Sequence, residues 1–293
     1  MGNNQRLSTH AMFRRTCVVL ALILAAAIFA GCGEKGEDDL LRGKAAYNTS
    51  NYQTAAMHFT IAAEQGNTEA QYWLGKCFDE GNGVKRDRLE AVKWFLKAAD
   101  KGNTDAQFEL GRYYNGKDDA EALKWYKKAA DHGNSDAQYR MGVMYEYGYN
   151  GLSKDMSEAV KWWLKAAKNG NSDAQYHLGG CYKNGEGVNK DAAEAVKWYC
   201  EAAEHGASEL QCYKTIGELY EKGGDGLKRD YAEAVKWYRK AYASSYDTKI
   251  GARIAFLYEL GGYGLEKDLQ EALNWYSYAR DKQSFDRVHD KMK

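Results

Sequence analysis

Six cysteines and six histidines are the side chains with most chemistry to offer, and their spacing restricts what they can do. No Cys-x-x-Cys occurs and no two histidines stand at i and i+4, so the common zinc-ligand spacings are missing and no metal site is expected. Cys77 and Cys181 occupy a recurring position filled elsewhere by Tyr113, Met144, Leu219 and Leu257, which reads as apolar filler. Cys200 and Cys212 differ, because each lies six residues from Gly206. A helical hairpin turning at that glycine brings the two level, so in an oxidising compartment they either bond or persist as two thiols. His132 and His205 each precede a glycine that can stop a helix, where an imidazolium complements the helix dipole. Gly-x-x-x-x-Gly-Lys-Ser/Thr, Ser-x-x-Lys and Gly-x-Ser-x-Gly are all absent, so neither a nucleotide cofactor nor a serine nucleophile is indicated. The enzyme class left open is a periplasmic hydrolase or cell-wall-acting enzyme using dispersed carboxylates, which an acidic pair with a raised pKa would reveal.

The elements that must position these residues are announced by tryptophan. Trp94, Trp125, Trp162, Trp198, Trp237 and Trp275 stand 31, 37, 36, 39 and 38 residues apart, each inside a copy of Glu-Ala-Val/Leu-Lys/Asn-Trp-aromatic. A period of this length means a stack of like units, each too small to bury its own apolar face. An aspartate stands three residues before a glutamate at Asp87 and Glu90, Asp118 and Glu121, Asp155 and Glu158, Asp191 and Glu194, Asp230 and Glu233, and Asp268 and Glu271. These are expected capping boxes that fix six helix starts. Gly102, Gly133, Gly170 and Gly206 mark helix ends. At 100° per residue the row Phe95, Tyr126, Trp163, Tyr199, Tyr238 and Tyr276 falls at the centre of the apolar sector. The tryptophan row falls at its margin, where it either packs against the next repeat or borders a groove. Second helices begin near Ala70, Ala106, Ala137 and Ala174 and carry a mid-helix glycine at Gly75, Gly111, Gly142, Gly179 and Gly217. Glycine there is about 1 kcal/mol worse than alanine, which implies helices crossing too closely for a side chain.

Zero proline and 13% aromatic residues suit uninterrupted helices. Basic and acidic residues balance at 41 each, so no overall field would recruit nucleic acid, and no nucleic-acid partner is expected. Residues 1–31 read as an address: Arg14 and Arg15 precede fourteen apolar residues from Cys17 to Ala30, too few for a membrane span of about 20. Phe29-Ala30-Gly31-Cys32 resembles the lipobox of bacterial lipoproteins, with Phe29 at a position usually leucine. That resemblance implies cleavage before Cys32, acylation of Cys32, anchoring through its lipid and, since Gly33 is not aspartate, an outer-membrane location facing the periplasm. Residues 32–39 are then a lipidated cysteine and flexible tether. Without residues 1–31 the chain is mildly acidic, with 38 basic and 41 acidic side chains.

The full sentence Ala-x-x-x-Leu-Gly-x-x-Tyr-x-x-Gly-x-Gly-Val-x-x-Asp-x-x-Glu-Ala-x-x-Trp closely resembles the Sel-one-like repeat, a relative of the tetratricopeptide repeat, over about residues 51–281. The resemblance implies an all-α fold, a right-handed αα-superhelix or solenoid of about six to seven helix-turn-helix repeats over 40–281, closed by a cap or tail at 282–293. It further implies a non-enzymatic scaffold whose concave side binds a protein or peptide partner. Some cysteine-rich relatives bridge their hairpins with disulfides, which bears on Cys200 and Cys212, though their spacing is not matched here. Departures are expected at the shortened turn between Tyr114 and Asp118, at extra residues around Glu209 to Tyr213, and at Ile250 and Ala255, which replace the usual Ala and Gly.

Overall fold

The computed structural model describes residues 36–293, so the leader and Cys32 lie outside the described residues. Fifteen helices follow one another in them. The first eight are α1 (Glu37–Asn48), α2 (Tyr52–Glu64), α3 (Thr68–Glu80), α4 (Arg88–Asp100), α5 (Thr104–Tyr114), α6 (Asp119–Asp131), α7 (Ser135–Tyr147) and α8 (Met156–Lys168). The rest are α9 (Ser172–Asn184), α10 (Ala192–Glu204), α11 (Glu209–Lys222), α12 (Tyr231–Ser245), α13 (Thr248–Leu260), α14 (Leu269–Tyr278) and α15 (Lys282–Met292). The fold is all-α; among the described residues the β pairings are two single bridges, Gly224 with Leu227 and Gly262 with Leu265. No described helix is long and apolar enough to cross a membrane. Two compact units divide at Ala106 and Gln107, within α5.

Each of the six aspartates accepts from the backbone N–H of the glutamate three residues on, as a helix N-cap does. The return half of the expected capping box is replaced. The aspartate N–H donates to a carbonyl of the preceding helix or its end, as at Asp87 to Phe78, Asp155 to Tyr145, Asp191 to Tyr182 and Asp230 to Tyr220. Five of the glutamates instead pair with the lysine three residues further on, such as Glu158 with Lys161 at 2.6 Å. The aspartate therefore ties the start of one helix to the end of another, which a local capping box would not do.

Helices with the mid-helix glycine begin with asparagine caps: Asn67, Asn103, Asn134 and Asn171 accept from the N–H groups of Ala70, Ala106, Ala137 and Ala174. Ser208, ahead of α11, makes no such bond, and this is where the sequence carries its extra residues. The glycines themselves face aromatic rings. A Cβ at Gly75 would lie 2.6 Å from the Phe95 ring, and at Gly142 2.3 Å from Trp163 Nε1. Gly111, Gly179 and Gly217 stand in the same relation to Tyr126, Tyr199 and Tyr238. Each of these rings belongs to the following helix, so the close approach is that of ring on backbone. In keeping with this, extensive contacts run between a glycine-bearing helix and the aromatic helix after it, α3 with α4 in the first unit and α7 with α8, α9 with α10 and α11 with α12 in the second, where α13, with Ala255 in the glycine's place, also packs on α14. All six members of the central aromatic row are buried.

The amino-terminal boundary differs from the expected tether over 32–39. Glu37, Asp38 and Asp39 form the first turn of α1, where carboxylates complement the helix dipole. Gly36 ahead of them, at φ +86°, presses against Ala62, and Asp39 accepts from His58 Nδ1 at 2.8 Å. A polar run that reads as linker is thus a helix start. At the other end, Lys282–Met292 form α15, fastened by buried Val288 and by Arg287 and Lys291 on Glu259.

Candidate interaction surface

The tryptophan row sits between repeats. Trp94 packs against the cluster of Leu40, Phe59 and Leu74 in the first unit. In the second, Trp162 joins the cluster of Ala122, Tyr126 and Met141, Trp198 packs on that of Trp163 and Leu178, Trp237 on that of Tyr199 and Ile216, and Trp275 on that of Tyr238 and Ile254. Each of these includes the preceding aromatic helix, so these five face backward along the chain; Trp275 also packs on the cluster of Leu273, Tyr276 and Val288. Trp125 and Trp162 are 8% exposed, which leaves no broad face for a ligand. What remains of several rings is covered by the lysine three residues on: Lys97 lies 3.6 Å from the Trp94 centroid, Lys165 3.9 Å from Trp162 and Lys240 4.0 Å from Trp237. Such cation–π contacts are worth about 0.5–1 kcal/mol each at exposed sites. At Trp198 the corresponding residue is Glu201, whose carboxylate instead accepts from Gln175.

A row of buried glutamines went unread in the sequence. Gln71, Gln138 and Gln175 donate through Nε2 to the helix-end carbonyls of Ala63, Ala130 and Ala167, as second donors beside the N–H groups of Gly66, Gly133 and Gly170. The Ala-Gln recurring at Ala70, Ala106, Ala137 and Ala174 was the available signal. His132 and His205 are the C-cap residues of their helices; His205 Nδ1 meets the Glu201 carbonyl at 2.9 Å and Gln175 Oε1 at 3.0 Å, and His132 Nδ1 meets Gln107 Oε1 at 3.3 Å. Asn169 donates to Gln138 Oε1 in the same way.

Carboxylates form structural knots. Glu221 accepts from the Tyr238 hydroxyl at 2.8 Å and pairs with Arg253; Glu259 accepts from the Tyr276 hydroxyl at 3.0 Å and pairs with Arg287 and Lys291. Burial alone would raise the Glu259 pKa, yet hydrogen bonds from Lys291 and Tyr276 and the charges of Arg287 and Lys291 outweigh it and hold it below the usual carboxylate range. That direction is opposite to the one a general acid needs. Glu146 stands at the matching position, but the ring after it is Trp163, which has no hydroxyl, and both Glu146 Oε2 and Trp163 Nε1 lack a hydrogen-bond partner. His177 replaces the arginine there, with its ring 4.9 Å from Trp163, and burial lowers its pKa.

Cys77 and Cys181 are buried, and burial pushes their thiols up to about 11 and about 12. Cys200 and Cys212 are free thiols in the structure, side by side in one apolar cluster. Burial raises both, Cys212 to about 11, with the neighbouring Cys200 adding to the rise. Among the described residues no group of three His, Cys, Asp or Glu side chains could hold a metal ion.

One surface row varies while the framework repeats. The position after each mid-helix glycine holds Lys76, Arg112, Val143, Gly180, Glu218 and, after Ala255, Phe256. These are exposed or half-buried, beside core positions whose character hardly changes.

Comparison with known proteins follows the same divisions. The Sel1 repeat model matches residues 41–67, 68–103, 104–134, 135–171, 172–206, 216–246 and 252–284. Six matched segments pair a glycine-bearing helix with the aromatic helix after it, the seventh has Ala255 in the glycine's place, and of the two internal breaks the one at 207–215 falls on the uncapped start of α11. A search of curated proteins finds no match. Among solved structures, a Sel1 repeat protein from Oxalobacter formigenes is 35% identical, with a TM-score of 0.61, covering 83% of this chain and 99% of that one. The protein c5321, a protective antigen present in uropathogenic Escherichia coli strains and displaying an SLR fold, is 29% identical with a TM-score of 0.60 over 85% of this chain. The match spans 62% of the c5321 chain. With seven matched segments, six of them carrying the ring-on-glycine packing, the chain belongs to the Sel1 repeat family.

Proposed function

We propose that this protein is a scaffold lipid-anchored to the bacterial cell envelope through Cys32, docking a protein or peptide along the concave face of its repeats and performing no covalent chemistry. Sel1 repeat proteins act as protein-interaction scaffolds, typically without catalysis. The observation that carries the reading here is the variable row: one repeated framework offers Arg112, Val143, Glu218 and Phe256 at equivalent positions, so chemistry changes along a constant support. The leader and Cys32 support the anchor.

Photo-crosslinking in the intact envelope tests the docking. A benzoylphenylalanine at Arg112, Glu218 or Phe256 is expected to give the same discrete protein conjugate, while one at the exposed Lys127 or Lys168 gives none. Conjugates from all positions alike, or from none, would refute it. The anchor is tested separately, since Cys32→Ser should abolish labelling by a fatty-acid analogue and release the chain from membranes; labelling that survives would refute the lipid site.

A further inference from the structure

A cavity of ≈ 580 Å³ in the second unit is lined by α11, α12 and α13 and is strongly unbalanced in charge. Lys214, Lys222, Arg229, Lys249 and Arg253 line it against two carboxylates, Glu218 and Glu221. Glu221 is already engaged by Arg253 and the Tyr238 hydroxyl. Among the described residues no carboxylate lies within ion-pair distance of Lys214, Lys222 or Lys249. An adjoining cavity of ≈ 370 Å³ shares Glu218 and Lys222 and adds Lys183 and Lys190, the latter paired with Asp225 at 3.0 Å. A chain of zero formal net charge thus collects unpaired cations in one groove.

We propose that this groove binds an acidic, extended segment of a partner protein. Apposed cations within a concave wall focus the field and favour carboxylates over neutral chains. Lys214 and Lys222 are eight residues apart on one helix, about 12 Å at 1.5 Å per residue. An extended chain covers that distance in about four residues. Glu218 lies between them and opposes an unbroken acidic run, so the segment carries acidic residues at both ends of a short neutral stretch. Glu218 between the lysines likewise disfavours the continuous phosphates of a nucleic acid.

This assignment rests on the scaffold reading and names the chemistry of its partner. The probe is a labelled peptide with two Asp-Glu pairs separated by three neutral residues, titrated into the full chain in detergent and followed by fluorescence anisotropy. Binding is expected to weaken with salt and to be absent for the matching Lys-Arg peptide. Reversing Lys214, Lys222 and Lys249 to Glu should weaken it about tenfold or more, while reversing the exposed Lys127, Lys168 and Lys267 changes it less than about twofold. Should the reversed chain lose its helical circular dichroism, the gentler K214Q/K222Q/K249Q variant should still weaken binding about threefold or more. No binding, binding indifferent to the groove lysines, or equal lysine-dependent binding of an oligonucleotide of the same charge would overturn the proposal. Discrete crosslinking from the variable row with no binding of the acidic peptide would remove the groove and spare the scaffold; failure of both would remove both.

Discussion

A glycine beneath an aromatic ring is the smallest unit of this architecture, and Gly142 is its tightest case. The Trp163 indole occupies the space of the missing Cβ, so Gly142→Ala forces the ring outward even though alanine is the better helix former. Overpacking of this kind usually costs about 1–3 kcal/mol. Urea denaturation should show a loss in that range, reduced when Trp163→Leu is present as well; a more stable Gly142→Ala chain would mean that the ring has room. Glu259 is the other residue whose role can be isolated. Its pKa is lowered in the folded state, so its contribution is present above the unfolded value and disappears as pH falls through the folded one. Glu259→Gln should therefore loosen α15 by about 1 kcal/mol at neutral pH. The difference from wild type should vanish in the acid range, below the ordinary carboxylate pKa of about 4.3. Hydrogen exchange of Lys282–Met292 across pH reads this directly, and a difference that persists in acid would contradict it.

At the scale of the helix, the one-sided cap makes a sharp distinction. Asp191 receives the Glu194 N–H at 2.9 Å, while its own N–H goes to Tyr182. Asp191→Ala should cost about 1 kcal/mol, whereas Glu194→Gln, which loses only an exposed pair with Lys197, should cost a few tenths. Equal losses in thermal or urea unfolding would restore the reciprocal box. These helix starts were legible because aspartate and glutamate at fixed offset are local signals, as were the glycine stops and the buried aromatic row. Other features were not legible for a physical reason. Glu37, Asp38 and Asp39 look like linker until Gly36 is seen against Ala62 and Asp39 against His58, contacts between residues far apart in sequence. The Asp191 N–H could find its acceptor only once the preceding helix was in place. The lysine-lined groove draws Lys214 from one helix and Lys249 from another, and balanced composition conceals it. A helical wheel sets the tryptophans at the margin of the apolar sector, but it cannot say which neighbour that margin meets.

Within each compact unit, the interface between a glycine-bearing helix and the next aromatic helix is the unit of folding contact, and tryptophan links one such interface to the one before it, as Trp237 does. Apolar side chains are consumed by these links, which leaves the outward rows to vary. In a nearest-neighbour array, damage to one link should spread to the adjoining unit. Trp237, on α12, lies against the cluster built by α10 and α11. Trp237→Ala should destabilise by about 3 kcal/mol. The decisive measurement is hydrogen exchange on this variant, resolved by peptide. Faster exchange in Ala192–Glu204 of the preceding unit, together with Glu209–Lys222 and Tyr231–Ser245, is the result predicted; a loss confined to residues 231–260, with Ala192–Glu204 as protected as in wild type, would contradict the account.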